Sequence, residues 1–154
     1  MNAALNGVAA LCLVSGLVAG CTESAPQLRE VRISGTASLP DGTVPPGTLH
    51  VHAYHAWSGE GELRHPLEEL GGFAAQPGEF SGTVSYPAGA GEGLVVWAWL
   101  DVDGDGVHCT PANRAEPAGV VTVQEFPVDE VQVSLTLDAD CKAAYWFFPP
   151  GAGP

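Results

Sequence analysis

From residue 31 the chain alternates. Val31, Ile33, Ala37 and Leu39 fall on one side of an extended segment, and Arg32, Ser34, Thr36 and Ser38 on the other. A period of two marks a half-buried β-strand. Asp41-Gly42 and Pro45-Pro46-Gly47 then punctuate a turn. Leu49 to Trp57 reads as a second strand, with Leu49, Val51 and Ala53 on one face and His50, His52 and Tyr54 on the other. Glu60 to Gly72 reads as a loop holding one helical turn over Pro66–Leu70. Phe80, Val84 and Tyr86, alternating with Ser81, Thr83 and Ser85, predict a third strand. Leu94 to Asp101 predicts a fourth, the most apolar and therefore central. Val120–Val123 predicts a fifth, running on toward Phe126. Val131, Val133, Leu135 and Leu137, alternating with Gln132, Ser134 and Thr136, predict the last.

Six or seven strands between Gly/Pro turns, with almost no helix, predict an all-β chain folded as a single two-sheet antiparallel sandwich. The sequence does not set the strand order. The aromatic stretch Tyr145–Phe148 is expected to cap the sandwich, with an exposed docking tail as the alternative. Residues 149–154 are read as a flexible tail.

The N-terminal segment is of another kind. Residues 1–20 contain no charged side chain, and their apolar run, Val8 to Ala19, is too short to span a bilayer but suits a secretory core. The run ends in Leu17-Val18-Ala19-Gly20-Cys21, which resembles the lipobox of bacterial lipoproteins. The resemblance implies a signal peptide over 1–20 and a lipidated Cys21. A short tether over 21–28 would lead into a sandwich domain over 29–148. It also implies a location in the cell envelope, anchored to membrane by the N-terminal lipid. Thr22 stands where an Asp would signal inner-membrane retention, which favours the outer membrane. Cys12 leaves with the signal and Cys21 takes lipid, so two of the four cysteines remain. Cys109 and Cys141 are then expected to form one disulfide, as suits an exported chain.

Charge narrows the partners. Five Lys+Arg stand against 18 Asp+Glu, a net charge of −13 over 154 residues. That excludes a nucleic-acid binder, which needs clustered cations. The length bounds the mature chain to one domain. Whether the partner is a protein or a glycan is not written in the sequence.

The sharpest chemical signal follows the fourth strand: Asp101-Val102-Asp103-Gly104-Asp105-Gly106. Carboxylates at alternate positions can converge on one cation, because the glycines let the chain curl around it. The string resembles the first half of a calcium loop of the EF-hand or dockerin type. The resemblance implies Asp101, Asp103 and Asp105 as ligands, Gly106 as the bend and the Val107 carbonyl as a further ligand. The twelfth position is Ala112 rather than Glu, so Glu116 or Asn113 would have to close the shell. Calcium with a structural role is the expectation, and a plain acidic turn the alternative. Residues 94–119 are also similar to small exported bacterial sandwich proteins. Ile33–Ala37 followed by Leu49–Ala53 resembles prealbumin-like or carboxypeptidase-regulatory-like domains, which are mostly non-catalytic.

Two further constellations stand out. His50 and His52 share a strand face, with His55 and His65 nearby, a spacing that can seat zinc or copper. Trp97 and Trp99 share a face of the fourth strand and, with Tyr54 and the two histidines, could form an aromatic ligand face for a sugar ring. Their plainer reading is core. Catalysis is not expected: no serine lies in a G-x-S-x-G context, and no phosphate-cradling glycine motif opens a helix.

Overall fold

The computed structural model describes the backbone of residues 27–59, 62–89 and 93–147, and the side chains of these except 57–66. The signal segment, Cys21 and the tail from residue 148 lie outside the described residues.

Among the described residues, eight strands form two sheets. In chain order they are β1 (Leu28–Ser38), β2 (Thr48–Gly59), β3 (Glu62–Ala75), β4 (Gly78–Pro87), β5 (Leu94–Asp101), β6 (Pro117–Val123), β7 (Glu130–Thr136) and β8 (Ala139–Asp140), followed by one helical turn, α1 (Ala144–Phe147). One sheet has the order β4-β1-β7 and the other β3-β2-β5-β6-β8. The sandwich is therefore all-β as expected, but one pairing departs from the antiparallel rule: β1 and β7 run parallel.

The inner faces follow the alternation. Val31, Ile33 and Ala37 of β1, Leu49, Val51 and Ala53 of β2, and Val131, Val133 and Leu135 of β7 enter one core with Phe80, Val84 and Tyr86 of β4. β5 lies between β2 and β6, and all eight of its residues are buried. Its Val96, Ala98 and Leu100 face the main core. Its Val95, Trp97 and Trp99 form a second cluster on the outer face, with Tyr54, Leu67, Ala118 and Ala144. α1 caps that second cluster through Ala144 and Phe147. Trp146 remains 66% exposed, so the aromatic tail is part cap and part open surface.

One segment corrects the sequence reading. Within the stretch read as a loop with a helical turn, the residues described from Glu62 onward form a fourteen-residue strand, Glu62–Ala75, at the sheet edge. Pro66 has no N–H to give to a ladder, and an edge position tolerates that. The pairing slips between His55 and Trp57 of β2, opposite the stretch that contains Pro66, and again between Ala53 and Tyr54, where Gly71 sits at φ 151°. Bulges of this kind hide the alternation from a sequence pattern. The strand predicted at Val120–Val123 starts earlier, at Pro117, and stops before Phe126.

The topology also fixes ends. β1 begins at Leu28 beside Pro87 and finishes at Ser38, whose carbonyl accepts the Leu137 N–H. The Asp138 N–H reaches the Ala118 carbonyl and the Cys141 N–H reaches the Glu116 carbonyl, so these residues share the Ser38 end. β5 terminates there too, with Asp101 opposite Thr48. The acidic loop thus lies at the end of the sandwich opposite the start of β1, about 25 Å away by the rise of an eight-residue strand.

Candidate metal centre

The loop begins where the ladder of β5 stops. Asp101 is its hinge: the side chain is buried, Oδ1 accepts the Gly104 N–H at 2.6 Å and Oδ2 accepts the Gly106 N–H at 3.0 Å. Gly104 (φ 79°) and Gly106 (φ 72°) occupy the left-handed region, which lets the chain double back over Asp101. Asp103 accepts the Asp105 N–H at 3.2 Å and Asp105 accepts the Val107 N–H at 2.7 Å. These are side-chain turns that aspartate forms readily. Asn113 Nδ2 donates to Asp103 Oδ2 at 2.8 Å, tying the return arm of the loop to its acidic arm.

Glu116 closes the group. One side-chain oxygen from each of Asp101, Asp103, Asp105 and Glu116 lies within 4.8 Å of the others. Asp103 and Asp105 are exposed, whereas Glu116 is 1% exposed. Its Oε2 accepts the Cys109 N–H, while Oε1 is buried with no hydrogen-bond partner. Polar atoms withdrawn from water are nearly always paired. A buried carboxyl group with one unpartnered oxygen, clustered with three other carboxyl groups, could hold a hard cation. Of the two residues considered for the missing ligand, Glu116 joins the cluster and Asn113 braces it.

Electrostatics agree. Burial works against ionisation of Asp101, but the N–H groups of Gly106 and Gly104, with His50 beside them, outweigh it. They hold its carboxyl below the usual carboxylate range. The Cys109–Cys141 disulfide, Cα to Cα 5.5 Å, staples the loop to the segment that leads into α1. Both cysteines have left-handed backbone, with φ of 57° and 56°.

The other candidates fare differently. His50 and His52 do project from one face, but each meets its own carboxyl group. His50 Nε2 is 3.7 Å from Asp101 Oδ2, and His52 Nδ1 is 2.8 Å from Glu69 Oε1. Among the described residues, neither joins a group of three or more candidate ligands, and the side chain of His65, a further histidine of the zinc or copper reading, lies outside them. Trp97 and Trp99 are 6% and 4% exposed, so no open ring face awaits a sugar, and the plainer core reading holds. The Trp97 indole N–H donates to the Lys142 carbonyl at 3.1 Å. Tyr54 is buried in the same cluster, and burial, with Glu69 nearby, pushes its hydroxyl well above the ordinary tyrosine value.

His108 was not legible as a site residue. Its ring lies 5.2 Å from Trp97 and 5.0 Å from Trp99, and burial pulls its basicity down. Only its place next to Cys109 could have suggested that it would be drawn in.

Fold and loop together define a class: an all-β sandwich whose central strand runs into an acidic loop held by a disulfide. No protein family matches the sequence, and no curated protein does. Among solved structures, an alternative pilotin from the type II secretion system of Vibrio cholerae is similar over 73% of this chain and 96% of its own. The TM-score is 0.42 and the identity 14%. A likeness of that degree assigns neither partner nor activity.

Proposed function

We propose that the chain is a non-catalytic accessory domain of the cell envelope, anchored by lipid on Cys21, whose distal loop binds one calcium ion. The observation that carries the calcium reading is Glu116: a fully buried carboxyl group, one oxygen unpartnered, within 4.8 Å of three aspartates. Four carboxyl groups around a glycine-bent loop suit calcium, which accepts six to eight oxygens in loose geometry. Magnesium demands a tight octahedron. The Val107 carbonyl and water would complete the shell. The role is structural: the ion offsets mutual repulsion among the carboxylates and fixes a loop that would otherwise be strained by them.

The envelope reading rests on Leu17–Cys21 and is supported by the disulfide, which persists in oxidising compartments. With lipid near the start of β1, the acidic loop would face away from the membrane. That orientation suits a chain of net charge −13 beside anionic lipid.

Calorimetric titration of the oxidised protein with calcium, and then with magnesium, tests the site. One calcium per chain is expected, with much weaker magnesium binding; an absence of calcium heat would end the reading. For the anchor, metabolic labelling with a fatty-acid analogue should mark the protein and spare Cys21→Ser. Equal labelling, or none, would remove Cys21 as acceptor.

A further inference from the structure

Asp101 has about four lone-pair sites on its two oxygens. The Gly104 N–H takes one on Oδ1 and the Gly106 N–H takes one on Oδ2. What faces the rest decides which oxygen can reach an ion. His50 Nε2 lies 3.7 Å from Oδ2, buried, with no hydrogen-bond partner of its own. The ring is not free to turn aside. It stacks on Trp99 at a centroid distance of 4.3 Å and an interplanar angle of 9°. Trp99 is itself 4% exposed and touches His108, the neighbour of Cys109 in the loop. The strand register makes this arrangement: His50 pairs with Trp99 and Thr48 with Asp101, so the imidazole stands beside the last carboxyl of β5.

We propose that His50 is a positioning residue of the cation site, donating from Nε2 to Asp101 Oδ2 so that Oδ1 is the oxygen presented to the ion. This rests on the calcium reading above. The proposed role requires the proton on the facing nitrogen, because the Asp101 carboxylate can only accept. At 3.7 Å the contact is longer than a hydrogen bond. A movement of under about 1 Å closes it to an ordinary hydrogen-bond length, and in the proposed role that contact closes when the loop is loaded. Partners that orient a metal ligand in this way typically contribute about 10–100-fold in affinity. The proposal gives His50 a role that neither the sheet nor the aromatic cluster requires of it.

The test compares His50→Phe, which keeps a ring on Trp99 and deletes the donor, with His50→Gln, whose amide can restore one. Calcium affinity is measured by titration at neutral pH, and the melting temperature is measured in chelator. His50→Phe is expected to weaken calcium binding by about 10-fold or more, with no change of melting temperature in chelator. His50→Gln is expected to recover most of the affinity. Wild-type affinity in His50→Phe would overturn the proposal and leave the calcium site standing. Equal loss in both variants, with a matching drop of stability in chelator, would reduce His50 to a packing residue. No calcium binding by the unmodified protein would remove both readings.

Discussion

Glu116, the residue before β6, accepts the backbone N–H of Cys109 seven positions earlier, and so bridges the two arms of the acidic loop. Glu116→Gln keeps an oxygen for that N–H and removes the charge. It should abolish calcium binding while leaving stability in chelator nearly unchanged. Glu116→Ala also strands the Cys109 N–H, at a cost of about 1–3 kcal/mol. Chemical unfolding in chelator distinguishes the two variants, and equal stability would mean that the bridge contributes nothing.

The disulfide closes a loop of 32 positions between Cys109 and Cys141. Replacing both cysteines by serine should lower stability by about 3–4 kcal/mol on the chain-entropy model. Because Cys109 also anchors the return arm, the variant should bind calcium more weakly as well. A denaturant midpoint within error of wild type would contradict this.

Much of this was legible in the sequence. Leu94–Asp101 was bounded correctly because seven apolar residues ending in an acid leave little choice. The three aspartates of the acidic cluster were legible because their spacing is local, and Glu116 could be named only as one of two options, since loop closure is a three-dimensional fact. β3 was missed because Pro66, Gly71 and Gly72 speak as loop residues, whereas an edge strand with bulges accepts them. His50 was noticed as a ligand candidate beside His52, and not as a neighbour of the acidic loop. Its proximity to Asp101 follows from the β2–β5 register, which no periodicity reveals.

Gly35 lies where β1 meets β7. A Cβ there would sit 1.9 Å from the Val133 carbonyl oxygen, which is backbone and cannot turn away. Gly35→Ala should therefore cost at least about 1–3 kcal/mol, in the range of overpacked cores. Gly89→Ala, whose Cβ meets nothing within 4 Å, should be close to neutral. Parallel unfolding curves of the two variants check the contrast.

Tyr86 is fully buried and its hydroxyl has no hydrogen-bond partner. Removing an unsatisfied polar group while keeping its shape is neutral or stabilising. Tyr86→Phe should raise the denaturant midpoint or leave it unchanged. A loss of about 1 kcal/mol or more, the usual worth of a hydrogen bond, would show that the hydroxyl is paired after all.

Tyr54 gives an alkaline signature. Its hydroxyl is held neutral in the fold, mainly by burial and then by Glu69. Above pH 10, about the ordinary tyrosine value, the unfolded chain loses this proton while the folded chain keeps it, so stability falls as pH rises. Tyr54→Phe should flatten that fall. Identical alkaline melting curves for the two proteins would contradict the assignment.

The central claim is a calcium ion in the distal loop, and a thermal melt of the oxidised protein tests it most directly, first in chelator and then with excess calcium. An ion at about a thousand times its Kd stabilises the native state by roughly 4 kcal/mol, a shift on the order of 10 °C or more for a domain of this size. That shift is expected with calcium, far less with magnesium, and none in Glu116→Gln. Superimposable melts in calcium and chelator would contradict it and make the loop an acidic turn.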